Sequence, residues 1–124
     1  MSAAGSGPAS ERRVEKPWGG ETIWAVGPTY VGKILHIRGG ESLSLQHHDV
    51  KHETIRVLTG RLAFEYGAAD GSLERVELGP GEGWRIAPGL RHRMEALEDT
   101  DVLEVSTTEL DDVVRHEDRY GRVK

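Results

Sequence analysis

Between Gly40 and Gly60 the chain reads GESLSLQHHDVKHETIRVLTG, and Gln46, His48 and Glu53 stand there as side chains able to hold a metal ion. Gln46 and His48 are two apart, so on an extended strand they share a face. Glu53 has the parity of Ile55, Val57 and Thr59 on a strand that would end at Gly60. A turn through Asp49 to Lys51 would return it to the pair. One amide oxygen, one imidazole and one carboxylate would then face a common point. Three protein groups leave a divalent ion under-held, and His92, in PGLRHRM, is the candidate fourth ligand. Such a nitrogen and oxygen set suits Zn²⁺, Fe²⁺, Mn²⁺, Ni²⁺ or Co²⁺. His36, His47, His52 and His116 have no spacing argument behind them and read as surface or hydrogen-bonded histidines.

The elements needed to position these groups are short strands. Trp18, Ile23, Trp24 and Val26 form an aromatic and β-branched stretch entered through Pro17 and Gly19. Lys33 to Arg38 alternates, with Lys33, Leu35 and Ile37 on one face, and closes at Gly39-Gly40. That face would turn Lys33 into a lumen. Arg61 to Tyr66 and Leu73 to Leu78 flank an Asp-Gly turn and predict a hairpin. Trp84 to Ile86 is a short strand, His92, Met94 and Ala96 share a face, and Asp101 to Thr107 is the last clear strand. Thr108 to Asp112 reads as a cap and turn, and Val113 to Tyr120 as a short helix or irregular arm. Short strands separated by Gly and Pro turns predict an all-β protein, an antiparallel β-barrel or jelly roll.

The chain's 124 residues suit a single domain. Residues 1–13 are expected to be a disordered tail, small and polar with Gly and Pro at the start, and 14–124 the folded domain. A net charge of −5 without a basic block argues against nucleic acid as a partner. With no cysteine, disulfides and thiolate zinc ligation are excluded. No stretch has the length and apolarity of a signal peptide or a membrane span, so a cytoplasmic protein without membrane contact is expected.

At its central motif the chain resembles the cupin superfamily. Gly40, Gln46, His48, Glu53 and Gly60 fall at the spacing of the first cupin motif, with Gln46 in place of its first histidine. Gly81, Ala87, Gly89 and His92 follow the second motif, with Ala87 in place of proline. Leu43-Ser44-Leu45 before the Gln-x-His variant is similar to the type II mannose-6-phosphate isomerase branch. That branch includes the cupin domain ending the bifunctional mannose-1-phosphate guanylyltransferase/isomerase proteins. Lys16-Pro17-Trp18-Gly19, Tyr30 with Lys33, and the terminal run from Val114 to Arg122 agree with that branch. Ile55 departs from it, standing where an aromatic residue is common.

The resemblance implies a single-domain cupin binding one divalent metal, zinc first, through Gln46, His48, Glu53 and His92. It implies an isomerase that interconverts mannose 6-phosphate and fructose 6-phosphate. The ion would polarise the C1 carbonyl and C2 hydroxyl while a separate base moves the C2 proton. Lys51 stands where the branch places a basic residue and is the candidate for acid/base work. Lys33, Arg85 and Arg93 are candidate contacts for a phosphate, and Arg119 and Arg122 reach it if the terminal run folds over the barrel mouth. A homodimer is expected, since barrel edges need cover. Two other readings stand beside this one. They are a metallo-cupin of another class, such as a lyase, epimerase or dioxygenase in secondary metabolism, and a sugar-binding cupin without catalysis.

Overall fold

A computed structural model describes residues 4–123. All regular structure among them is strand, arranged in two antiparallel sheets. The first contains β1 (Arg12–Lys16), β2 (Gly19–Val26), β3 (Val31–Ile37), β5 (Glu53–Thr59), β8 (Gly83–Ile86) and β10 (Thr100–Ser106). Their order across the sheet is β1-β2-β3-β10-β5-β8. The second contains β4 (Leu45–His47), β6 (Leu62–Gly67), β7 (Leu73–Leu78), β9 (His92–Ala96) and β11 (Val114–Glu117), ordered β11-β4-β9-β6-β7. Among the described residues no helix is long and apolar enough to cross a membrane.

Period-two alternation builds the interior. Glu53, Ile55 and Val57 of β5 are buried while Thr54, Arg56 and Leu58 face out. His92, Met94 and Ala96 of β9 and Val102, Glu104 and Ser106 of β10 are buried in the same phase. The two inner faces enclose a core that includes Leu35, Ile37, Val57, Phe64, Met94 and Val102. Trp18, 3% exposed, anchors the start of β2 in that core, and Ile55 is part of it. This is the expected all-β jelly-roll architecture. Gly40 and Gly60, with φ of +86° and +89°, bracket the segment that carries β4 and β5. A Cβ at Gly60 would also run into the backbone at Asp99 and Thr100.

Two elements differ from the sequence reading. β1 begins at Arg12, ahead of the boundary expected at residue 14, and pairs along β2 from Arg12 opposite Ile23 to Lys16 opposite Gly19. Four of its residues are charged, which suits a sheet edge and hides its strand character. Residues 1–3 of the expected tail lie outside the described residues, and 4–11 are exposed. The arm from Val113 to Tyr120 is no helix: Val114–Glu117 adds to the free edge of β4, placing Arg115 opposite Gln46. The unpaired backbone groups of β4 supply the partner that an isolated reading of the arm lacks.

Candidate metal centre

The site lies where three strands end. Glu53 opens β5, His92 opens β9, and His48 follows the last residue of β4. The Gly89 amide donates to the His48 carbonyl at 2.7 Å, joining the turn before His92 to the loop after β4. Asp112 fixes that loop from the other side. Its carboxylate accepts the amides of Asp49, Val50 and Lys51 at 3.0, 2.7 and 2.8 Å.

Both imidazoles are oriented through Nδ1. His48 Nδ1 lies 2.6 Å from the Asp112 carbonyl and His92 Nδ1 lies 2.9 Å from that of Leu90. A carbonyl oxygen only accepts, so each Nδ1 carries the hydrogen and each Nε2 is presented to the interior. The two Nε2 atoms stand 3.2 and 3.3 Å from Glu53 Oε1. Among the described residues, His92 Nε2 and Glu53 Oε2 are buried without a hydrogen-bond partner. Two imidazole lone pairs and a carboxylate converging in a buried interior repel one another unless a proton or cation lies among them. His48, Glu53 and His92, with ligand atoms all within 4.8 Å of one another, fit a divalent metal ion.

Gln46 lies directly opposite His92 across the β4 and β9 pair and, with His48, lines a cavity. Its Oε1 accepts the Ser44 hydroxyl at 2.6 Å, which leaves one lone pair of the amide oxygen.

Beside the histidines a column of buried charge runs through the interior. Lys51 Nζ is 3.1 Å from Glu53 Oε2 and 3.7 Å from Glu104 Oε2, and Lys33 Nζ is 3.3 Å from Glu21 Oε1. Burial opposes the charged form of Glu53. The close His48 and His92 imidazoles and the Lys51 charge outweigh it, holding the carboxyl well below its ordinary value. Burial, then the neighbouring Glu53 charge, pushes Glu104 up to about 7. Burial works against the Lys51 ammonium, but Glu104 and Glu53 overcome it and raise its pKa. His48 is likewise raised, because its hydrogen bond and attraction to Glu53 exceed the cost of burial.

These groups open on a cavity of about 110 Å³ lined by Gln46, His48, Lys51, Lys33, Glu21 and Glu104, with Arg115 and Arg122 from the arm. The structure therefore brings Gln46, His48, Glu53, His92, Lys51, Lys33 and Arg122 to one region. It does not bring Arg85, Arg93 or Arg119 there. Arg85 is one residue out of phase with buried Ile86 and lies exposed on the outer face of β8. Arg93 is one residue out of phase with His92 and points away from it, to Glu65 at 3.0 Å and Glu117 at 3.1 Å. Arg119 donates to the Gly40 carbonyl and pairs with Glu95, sharing a separate cleft with Arg93. Sequence reasoning missed Glu21, Glu104, Asp112 and Arg115. Glu104 had a legible signal, a charge in the inward phase of Val102 and Ser106. Asp112 had none, because its partners are more than sixty residues away in the chain.

Residues 33–107 match the cupin domain family, and the chain belongs to it. It is 35% identical over 119 residues to mannose-1-phosphate guanylyltransferase ManC of Salmonella typhimurium. It is 31% identical over 116 residues to the xanthan biosynthesis protein XanB of Xanthomonas campestris. Each alignment covers 90% of this chain but 23% and 24% of the relative, so the chain spans about a quarter of their length. Among solved structures, KdgF from Halomonas sp. aligns with a TM-score of 0.68 at 20% identity, covering 82% of this chain and 90% of that one. Oxalate decarboxylase of B. subtilis aligns with a TM-score of 0.72 at 15% identity, covering 86% and 30%. These two likenesses establish the shared fold.

Proposed function

We propose that this cupin is a metal-dependent aldose-ketose isomerase acting on sugar phosphates of the mannose 6-phosphate and fructose 6-phosphate type. The observation that carries the reading is the buried convergence of the His48 and His92 Nε2 atoms on Glu53, with Lys51 beside them and with His48 and Lys51 lining a cavity. The relatives named for mannose 1-phosphate chemistry supply the substrate class.

His48, Glu53 and His92 hold the ion, zinc in this proposal, and Gln46 completes the set through the lone pair that Ser44 leaves free. A bound ion of this kind supplies Lewis-acid polarisation of a substrate carbonyl. The residues of the chain do the proton work. Aldose and ketose interconvert when a proton leaves C2 and one is returned at C1, so an acceptor and a donor are needed close to both carbons. Lys51, held between two carboxylates, is the charged donor and the catalytic residue proposed here. Glu104, lining the same cavity, is the acceptor, and the pair shares the transferred proton. Lys33 and Arg122 contribute positive charge for the substrate, while Leu35, Leu43 and Met94 form the apolar part of the cavity wall. A homodimer in the cytoplasm completes the proposal. The dimer is supported by Trp24, Val26, Tyr30 and Val105, large apolar side chains exposed on the outer face.

The test is incubation of zinc-loaded protein with mannose 6-phosphate in deuterium oxide. Fructose 6-phosphate carrying deuterium at C1, with deuterium at C2 of the mannose 6-phosphate regenerated from it, is the expected result. Unlabelled, unconverted sugar from fully metal-loaded protein would sink the isomerase reading.

A further inference from the structure

We propose that Arg115, supported by Arg122 and Lys16, forms an oxyanion subsite that takes the phosphate monoester of the substrate, at the arm end of the cavity and one strand beyond Gln46. The identity of the molecule carrying that phosphate rests on the isomerase reading; the anion site itself does not.

Strand register places Arg115. It stands opposite Gln46, and Gln46 stands opposite His92, so the three side chains form one row on the inner face of the second sheet. Two strand spacings, about 10 Å, separate the backbone at Arg115 from that at His92. The carbonyl and the phosphate of a hexose 6-phosphate lie at opposite ends of a six-carbon chain. A row of this length can therefore hold one end at His92 and the other at Arg115.

Its bonding state points to a ligand. Arg115 forms no ion pair among the described residues, and its Nε is buried without a hydrogen-bond partner. A buried guanidinium N–H left unpaired is costly, whereas an arriving phosphate oxygen would satisfy it with a charge-assisted bond. The carboxylates along the cavity are occupied elsewhere. Glu21 is held by Lys33, Glu104 faces Lys51, and Asp112 is taken up by three backbone amides. None of them is paired with Arg115.

The neighbours suit a dianion. Arg122 is gripped by Asp118 at two points, Nε to Oδ2 at 2.8 Å and Nη2 to Oδ1 at 3.0 Å, which fixes its plane and leaves Nη1 outside that pair. Lys16, at the end of β1, lines the same cavity. Arg115 and Arg122 also line a groove with Asp111, Val113 and Val114, so they lie between the cavity beside His48 and a second opening along the arm. A guanidinium fork beside a second guanidinium and an ammonium matches the several oxygens of a phosphate better than a single carboxylate.

The experiment is calorimetric titration of the full chain, metal-loaded and metal-free, with inorganic phosphate, mannose 6-phosphate and free mannose. The variants are Arg115→Gln, Arg115→Lys and Arg122→Gln, with metal content and melting temperature measured on each. Phosphate is expected to bind the parent with or without metal. Arg115→Gln should weaken phosphate and mannose 6-phosphate by about 10- to 100-fold, leave free mannose and metal content unchanged, and be partly rescued by Arg115→Lys. Absence of phosphate binding in the parent, or equal phosphate affinity in a folded Arg115→Gln, overturns the subsite. Phosphate binding lost in Arg115→Gln, from a parent that exchanges no sugar, upholds the subsite and removes the isomerase reading. Active exchange with an unchanged KM in Arg115→Gln does the reverse.

Discussion

Glu53→Gln is the substitution that most sharply separates a metal site from a buried polar cluster. The amide is close in size to the carboxylate, so no cavity is created. In the metal-free chain the substitution takes one of two carboxylates from Lys51, leaving only Glu104 at 3.7 Å. Breaking a buried ion pair costs about 3–5 kcal/mol, and the surviving partner sets the expectation near about 3 kcal/mol. With about 2.1 cal/mol/K of unfolding entropy per residue, a chain of 124 residues shifts its Tm by roughly 4 °C per kcal/mol. The metal-free variant should therefore melt about 12 °C below the metal-free parent. Zinc then distinguishes the two accounts. An ion at 100 times its Kd stabilises the folded state by about 2.7 kcal/mol, so the parent should gain about 10 °C. Glu53→Gln should gain almost nothing at the same concentration. The assay is thermal melting by circular dichroism after chelator treatment, across a zinc titration. An unresponsive parent, or an equal zinc-dependent rise in parent and variant, would refute the reasoning.

Lys51→Met should retain bound metal and lose aldose-ketose exchange by at least about 100-fold, as read by single-turnover conversion beside metal analysis. Asp112→Ala should lower stability and weaken zinc together, because its carboxylate holds the amides of Asp49 to Lys51 and so fixes the segment whose backbone carbonyl orients His48; melting and zinc titration measure the two effects. The Asp112 and Asp118 carboxyls are both lowered to about 2, the first by backbone amides and the second mainly by Arg122. Their contribution to stability should be full above the ordinary carboxylate pKa and be lost as pH falls through about 2, and in Asp112→Ala that acid loss should shrink in a pH-melting series. Arg85→Ala, on the outer face of β8, should leave metal content and exchange rate at parental values.

The parts of the site that spacing encodes were legible in the sequence. Gln46 and His48 share parity, Glu53 heads an alternating strand, and His92 begins another, so each candidate ligand's direction follows from local pattern. The charged interior was less legible because Glu104 sits among Val102, Leu103 and Val105, and a strand read for apolar content passes over its one inward carboxylate. Two of the five phosphate candidates lie away from the cavity because of phase. Arg85 and Arg93 are each adjacent in sequence to an inward residue and so point outward. Arg115 gains its meaning from pairing with β4, and Asp112 from amides distant in the chain. No local pattern encodes such long-range partners. β1 shows the same limit at a sheet edge, where charge suited to solvent masks a strand.

Metal content, measured by mass spectrometry on untagged chain purified without added metal, tests the central claim most directly, with His48→Ala and His92→Ala prepared in parallel. Convergent Nε2 atoms on a buried carboxylate predict close to one divalent ion per chain in the parent and its loss in both variants. A metal-free parent that stays so after incubation with zinc, or variants that keep the parental content, would contradict it.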